Sequence, residues 1–212
     1  MSAYADQEEL DKLKAWWKNY GNSAIIGVLL GIVLLVGFRY WTQHTEQRLQ
    51  AASGLYDQML QDFRTSKASV ARQSGESLLN DYTSTPYAGL AGLILARMDF
   101  EENDMASARK HLQWVVDHAK YPATVHAARL RLARLVLDSG DKPAAMALLE
   151  VKDKAGFESE YAELKGDIHR TQGQTAEARA AYREALKQLS AGSPYASVLK
   201  MKIDDLGPEK SS

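Results

Sequence analysis

From Asn19 to Phe38 the chain runs twenty residues without a charged side chain, closed by Lys18 on one side and Arg39 on the other. A helix of that length rises about 30 Å, the hydrocarbon thickness of a bilayer. Within it Ala24 to Phe38 is apolar on every face, so no side of such a helix prefers water. The flanks carry the side chains that settle at a membrane interface: Trp16, Trp17 and Tyr20 before the stretch, Arg39, Tyr40 and Trp41 after it. A buried core helix and the apolar core of a cleaved leader are the competing readings. The leader would need small residues at a cleavage site just downstream, where the chain has Phe38-Arg39-Tyr40-Trp41 instead. The expectation is a retained single span over residues 19–41 in contact with the lipid bilayer, preceded by a short head, 1–18.

Ser23, Gly27 and Gly31 fall four apart and share one stripe of that helix. A stripe of small residues lets a second membrane helix approach closely, which matters in lipid because burial of apolar surface gives no drive for association. Glycine is also simply common in membrane helices, and the sequence favours neither reading over the other. Lysines 12, 14 and 18 lie before the span against Arg39 and Arg48 after it, a bias of three to two that weakly favours the head inside the cell and the large C-terminal part outside.

After the span, Thr42 to Phe63 has apolar residues at helical spacing and only Gly54 to interrupt it, so the membrane helix is expected to run on. Ala68 to Tyr82 reads as a second helix with Val70, Leu78 and Leu79 inward. Thr85 and Pro86 mark the start of the next, Thr85 as cap and Pro86 at the first helical position. Beyond Pro86 the chain repeats. Ala96, Ala133 and Gly166 are each followed seven residues later by Asn103, Gly140 and Gly173, then by Ala108, Ala145 and Ala178, then by Leu112, Leu149 and Tyr182. The offsets between copies are 37 and 33 residues. Small residues let two helices of a hairpin approach, a turn residue ends the first, and a large apolar residue fills the gap. That is the logic of tetratricopeptide repeats, which bury a continuous core only when several stack.

The copies are degenerate: Gly92, Arg129 and Ala162 stand where a bulky residue is expected, and Asp99, Val136 and His169 where an apolar one is. A generic array of helical hairpins predicts nearly the same shape. Ser193 and Pro194 open a closing helix, Tyr195 to Leu206, with Val198, Leu199, Met201 and Ile203 to cover the last apolar flank; residues 207–212 read as a disordered tail. The expected fold is all-α: one N-terminal transmembrane helix, then a solenoid of tetratricopeptide-like hairpins over 42–206.

Composition narrows the function. Lysine plus arginine total 26 against 27 acidic residues, so no global field draws nucleic acid. The chain has no cysteine, which removes disulfides, thiolate metal sites and cysteine nucleophiles together. Its five histidines show no metal-ligand spacing, and there is no phosphate loop or nucleophile elbow. The expectation is therefore a protein that is not an enzyme, without cofactor, metal or small-molecule substrate. Tyr87, Tyr121, Tyr161 and Tyr195 recur near helix starts, together with arginines; they read as packing residues with a polar tip more readily than as a binding surface.

The order of parts, the post-span motif Gly37-Phe38-Arg39-Tyr40-Trp41 and the closing Met201-Lys202-Ile203-Asp204-Asp205-Leu206 resemble the YfgM family of ancillary subunits of the bacterial SecYEG translocon. The resemblance implies a single-pass type II protein of the bacterial inner membrane with a periplasmic repeat domain. It implies as partners the SecYEG translocon and a PpiD-like periplasmic chaperone, with a role in handing emerging polypeptides to periplasmic chaperones. It carries over no catalytic residue. The alternative is a structural scaffold that assembles a cell-envelope or secretion complex.

Overall fold

The computed structural model describes residues 2–208; of the head and the start of the span it gives the backbone but few side chains. Nine helices are assigned among the described residues, with no strand: α1 (Ser2–Arg64), α2 (Ala68–Asp81), α3 (Pro86–Glu101), α4 (Met105–His118), α5 (Pro122–Asp138), α6 (Lys142–Leu148), α7 (Glu158–Thr171), α8 (Thr175–Gln188) and α9 (Ala196–Asp204). The chain divides into two compact units, Met1–Gln50 and Ala51–Ser212. The fold is all-α, and its N-terminal helix is long and apolar enough to cross a membrane.

In the first unit the helix exposes its apolar side chains. Ile26, Leu29, Leu34, Val36 and Phe38 are all exposed, and the most apolar stretch, with mean hydropathy 2.0, has none of its length buried within the protein. Such a surface suits lipid and no aqueous surrounding. Trp16 and Tyr20 pack ring to ring at 6.2 Å, as do Phe38 and Trp41 at 6.5 Å, so the flanking aromatics are paired along the helix. Gly27 and Gly31 face open space, with nothing within 4 Å of where a Cβ would stand. The Ser23 side chain lies outside the described residues.

The second unit is built from hairpins because each helix has one apolar stripe and short polar turns. Between α3 and α4, α5 and α6, and α7 and α8 the chain turns at Asn103, Gly140 and Gly173, with φ of 61°, 90° and 75°. That left-handed conformation suits glycine, and asparagine is among the few other residues that adopt it readily. Asp104 and Asp141 then cap the second helices of two hairpins, each Oδ1 accepting a backbone N–H at 3.0 Å, from Ser107 and Ala144.

The repeated small and large residues all lie in the interior: Ala96, Ala108 and Leu112, then Ala133, Ala145 and Leu149, then Gly166, Ala178 and Tyr182. A Cβ on Gly166 would stand 2.4 Å from the Tyr182 ring, and one on Gly92 2.4 Å from Val115, so glycine at both sites is what lets the paired helices close. Three apolar clusters run along the array. Ala52, Met59, Leu78 and Leu95 fill the first; Leu112, Leu132, Leu149 and Ile168 the second; Ala178, Tyr182, Ala185 and Leu199 the third. Trp114 packs against both the first and the second.

Several local expectations change. Val70 and Met201 are exposed; helical spacing put them on the inward side, but the packed stripe of α2 runs through Ala71, Leu78 and Leu79, and that of α9 through Leu199. Thr85 precedes α3 without capping it, because its hydroxyl donates back to the Tyr82 carbonyl at 2.8 Å. The final helix starts at Ala196 rather than Tyr195; Ser193 and Pro194 sit in the turn before it. Gly207 is held by Arg179 Nη2, which donates to its carbonyl, whereas residues 209–212 of the expected tail lie outside the described residues.

Candidate functional site

Helices α3 and α5 each give one face to the repeat core and another to a groove between them. One depression there holds about 480 Å³, walled by Ile94, Arg97 and Phe100 from α3 and by Arg131, Arg134, Leu135 and Asp138 from α5, with Ala108 and Leu112 of α4 behind. A second depression shares Phe100, Leu135 and Asp138 and adds Met105 and Arg109. A third shares Arg134 and Asp138 and continues to Asp167 and Arg170 of α7 and Lys202 of α9. The three form one run along the first helices of successive hairpins. Such a surface, apolar at the base and polar at the edge, is suited to holding a segment of polypeptide.

Its walls follow from the repeat. Ile94, Arg131 and Leu164 stand at the 37- and 33-residue offsets of Ala96, Ala133 and Gly166, as do Arg97, Arg134 and Asp167, and Phe100, Leu137 and Arg170. All nine line the run. Packing turns the small residue inward, which leaves the residues next to it facing the groove. The same periodicity that reveals the core therefore contains the groove, although the arginines escape notice while only apolar and small positions are followed.

Phe100 is 53 % exposed and lies with the exposed Met105 in the second depression, so the groove presents apolar surface to solvent. Arg97 lies 2.8 Å from Glu101 Oε1 and 5.5 Å over the Phe63 ring, so its charge is partly committed. Arg131 donates Nη1 to the Ala127 carbonyl at 3.1 Å. Loss of water in the groove wall, and then repulsion from Arg134, hold its guanidinium below the ordinary arginine value.

Two polar clusters adjoin the groove, one buried and one partly buried. Asp99, at the repeat position expected to be apolar, is almost fully buried and ion-paired to Arg72; Arg72 Nη2 also reaches Glu102 at 3.0 Å. His111 places Nδ1 2.5 Å from Asp99 and Nε2 3.1 Å from Glu76. An Asp–His pair resembles the orienting half of a hydrolytic triad. Here the second ring nitrogen faces a carboxylate instead of a hydroxyl, so the pair has no nucleophile to activate. It ties α2, α3 and α4 together.

At the other end Lys202 of α9 reaches Glu163 at 2.6 Å and Asp167 at 2.8 Å. Tyr195 and Tyr182 donate their hydroxyls to the same two carboxylates, at 2.8 and 2.7 Å. Burial first, and then the hydrogen bond to Glu163, push the Tyr195 phenol up to about 12. Burial and the bond to Asp167 raise that of Tyr182 as well.

None of the four tyrosines that recur near helix starts lines the run. Tyr161 is fully buried and bonded to His126, Tyr195 latches the closing helix, Tyr87 packs on Tyr56, and Tyr121 is exposed elsewhere. Among the described residues no group of three or more histidine or acidic side chains is placed to hold a metal.

Comparison with known proteins agrees with this architecture. The chain is 27 % identical over 205 residues to a Haemophilus influenzae protein named ancillary SecYEG translocon subunit, covering 95 % of this chain and 97 % of that one. Proteins of the same name from Aggregatibacter actinomycetemcomitans and Escherichia coli are 27 % and 24 % identical, over 95 % of this chain and 97 % and 96 % of theirs. The resemblance read from the two motifs is thus to the proteins that the comparison finds. The tetratricopeptide repeat-like domain family matches residues 14–208, nearly the whole chain, and the chain belongs to it.

Proposed function

We propose that the chain is a membrane-anchored binding scaffold that works beside the SecYEG translocon and helps pass emerging polypeptides to periplasmic chaperones, a PpiD-like chaperone among them. One observation carries the reading: a groove-bearing hairpin array joined to a lipid-length helix, in a chain similar end to end to proteins named as translocon subunits. The lysine bias before the span supports a head in the cytoplasm and a repeat unit in the periplasm, in the orientation of a single-pass type II protein. On this reading the scaffold performs no chemistry. It holds a partner near the membrane to which the chain is anchored, and the groove does the holding.

Purification of the full chain from membranes in mild detergent tests the partner. Recovery of translocon subunits and a periplasmic chaperone is expected. Recovery of envelope-synthesis machinery in their place would overturn the reading in favour of an assembly scaffold. Protease added to intact spheroplasts tests the orientation: the repeat unit should be digested, and its protection would sink the placement.

A further inference from the structure

The chemistry of the groove specifies what it holds. Across the two depressions that share Phe100, Leu135 and Asp138, the charged lining is four arginines, Arg97, Arg109, Arg131 and Arg134, against the single carboxylate Asp138, with Arg97 already paired to Glu101 just outside the lining. The chain as a whole is balanced, 26 basic residues against 27 acidic, so this excess is local. Arg131 and Arg134 lie three apart on α5, where like charges repel in the free protein. An anion between them would relieve that repulsion. Beneath the arginines the floor is apolar, with Phe100 and Met105 both exposed and Leu135 between the two depressions.

A rim of guanidinium groups over an apolar floor matches one kind of ligand: a polypeptide segment whose leucine or aromatic side chain is flanked by aspartate or glutamate. We propose that the groove binds such a segment. The apolar side chain rests on Phe100 and Leu135, and the neighbouring carboxylates are taken by Arg109, Arg131 and Arg134. A guanidinium fork matches a carboxylate in geometry as well as in charge, and arginine also stacks on aromatic faces. A bilayer surface is the other anionic candidate, but the site is recessed between two helices, and about 480 Å³ accommodates a few side chains rather than a flat headgroup layer.

The proposal rests on the reading of the chain as a binding scaffold and deepens it. Its test uses the full chain in nanodiscs of neutral lipid and three fluorescent octapeptides, read by anisotropy. One has leucine and phenylalanine set among glutamates; the second has lysine in place of every glutamate; the third keeps the glutamates and has serine in place of the apolar residues. The first should bind about tenfold or more tighter than either of the others, and its affinity should fall as salt is raised. In the double variant Arg131→Glu with Arg134→Glu, both sites being exposed, the preference should invert toward the lysine peptide, a gain that a misfolded protein does not produce.

Equal binding of the acidic and basic peptides, an acidic preference that survives the double reversal, or displacement of the peptide by phosphatidylglycerol vesicles would each overturn the proposal. Translocon recovery by the unaltered chain is scored separately. If it fails while the peptide preference holds, the partner assignment is wrong and the groove chemistry stands. The reverse outcome rejects the groove chemistry alone.

Discussion

Replacement of Gly166 by alanine sets two effects of opposite sign against each other. Glycine to alanine inside a helix ordinarily stabilises by about 1 kcal/mol, because the glycine backbone loses more freedom on folding. At Gly166 the new Cβ would stand 2.4 Å from Tyr182 Cε1 and 2.5 Å from Cδ1. The ring has nowhere to go: it is fully buried, its hydroxyl is bonded to Asp167 Oδ1 at 2.7 Å, and Asp167 is itself held by Lys202. Overpacking of a fixed core costs about 1–3 kcal/mol, and the upper end applies where the neighbour is pinned at both ends. The net expectation is a loss of about 2 kcal/mol, or roughly 4–8 °C in melting temperature for a domain of this size.

Gly54→Ala is the control, since Gly54 is an exposed helical glycine with nothing within 4 Å of its Cβ position, and it should stabilise by about 1 kcal/mol. Urea unfolding followed by circular dichroism gives both values. In a Tyr182→Leu background the Gly166→Ala penalty should vanish, a coupling of about 2–3 kcal/mol. A Gly166→Ala protein as stable as the Gly54→Ala protein would refute the claim that close helix approach at the small repeat position sets the hairpin geometry.

Asp99→Asn should cost about 3 kcal/mol in the same assay, because it leaves Arg72 and His111 facing a neutral group in a buried cluster; a change below about 0.5 kcal/mol would show that the cluster is not structural. The Tyr195 phenol titrates higher when folded than its ordinary value near 10.0, so its contribution is complete below about pH 10 and is lost as pH rises toward about 12. Alkaline titration of stability should therefore show a decline over that window that is shallower in Tyr195→Phe, and identical slopes would contradict the latch. For the membrane helix, Gly27→Leu with Gly31→Leu should leave insertion intact, since both sites face open space, while weakening recovery of a partner's membrane helix several-fold. Equal recovery at matched membrane levels would return both glycines to the role of ordinary lipid-facing residues.

The parts of this fold that sequence makes legible are those whose physics is local or periodic. A bilayer-length charge-free run states its own requirement, and the spacing of Ala96, Asn103, Ala108 and Leu112 recurs because every hairpin solves the same packing problem. Contacts between distant residues are less legible. Asp99 stands out as a departure from the repeat, yet its partners Arg72, Glu76 and His111 sit on neighbouring helices, and nothing in the spacing pairs them. Val70 and Met201 show the limit of helical periodicity, which identifies apolar positions without saying which of them meets a neighbour. The groove lies between these cases. Arg97 and Arg134 occupy one repeat register and would be found by following every position of the repeat, but their meeting with Phe100 and Leu135 depends on how α3 and α5 stack.

The proposed role of the groove, holding a partner beside the translocon, is tested by a photo-reactive amino acid placed at Phe100 in the full-length chain in living cells, with the same group at the exposed Lys110 of α4 as reference. Crosslinks from position 100 to translocon subunits, chaperones or polypeptides in transit, several-fold stronger than from position 110, are the predicted result. Equal adducts from both positions, or adducts from position 100 to envelope-synthesis proteins alone, would contradict it.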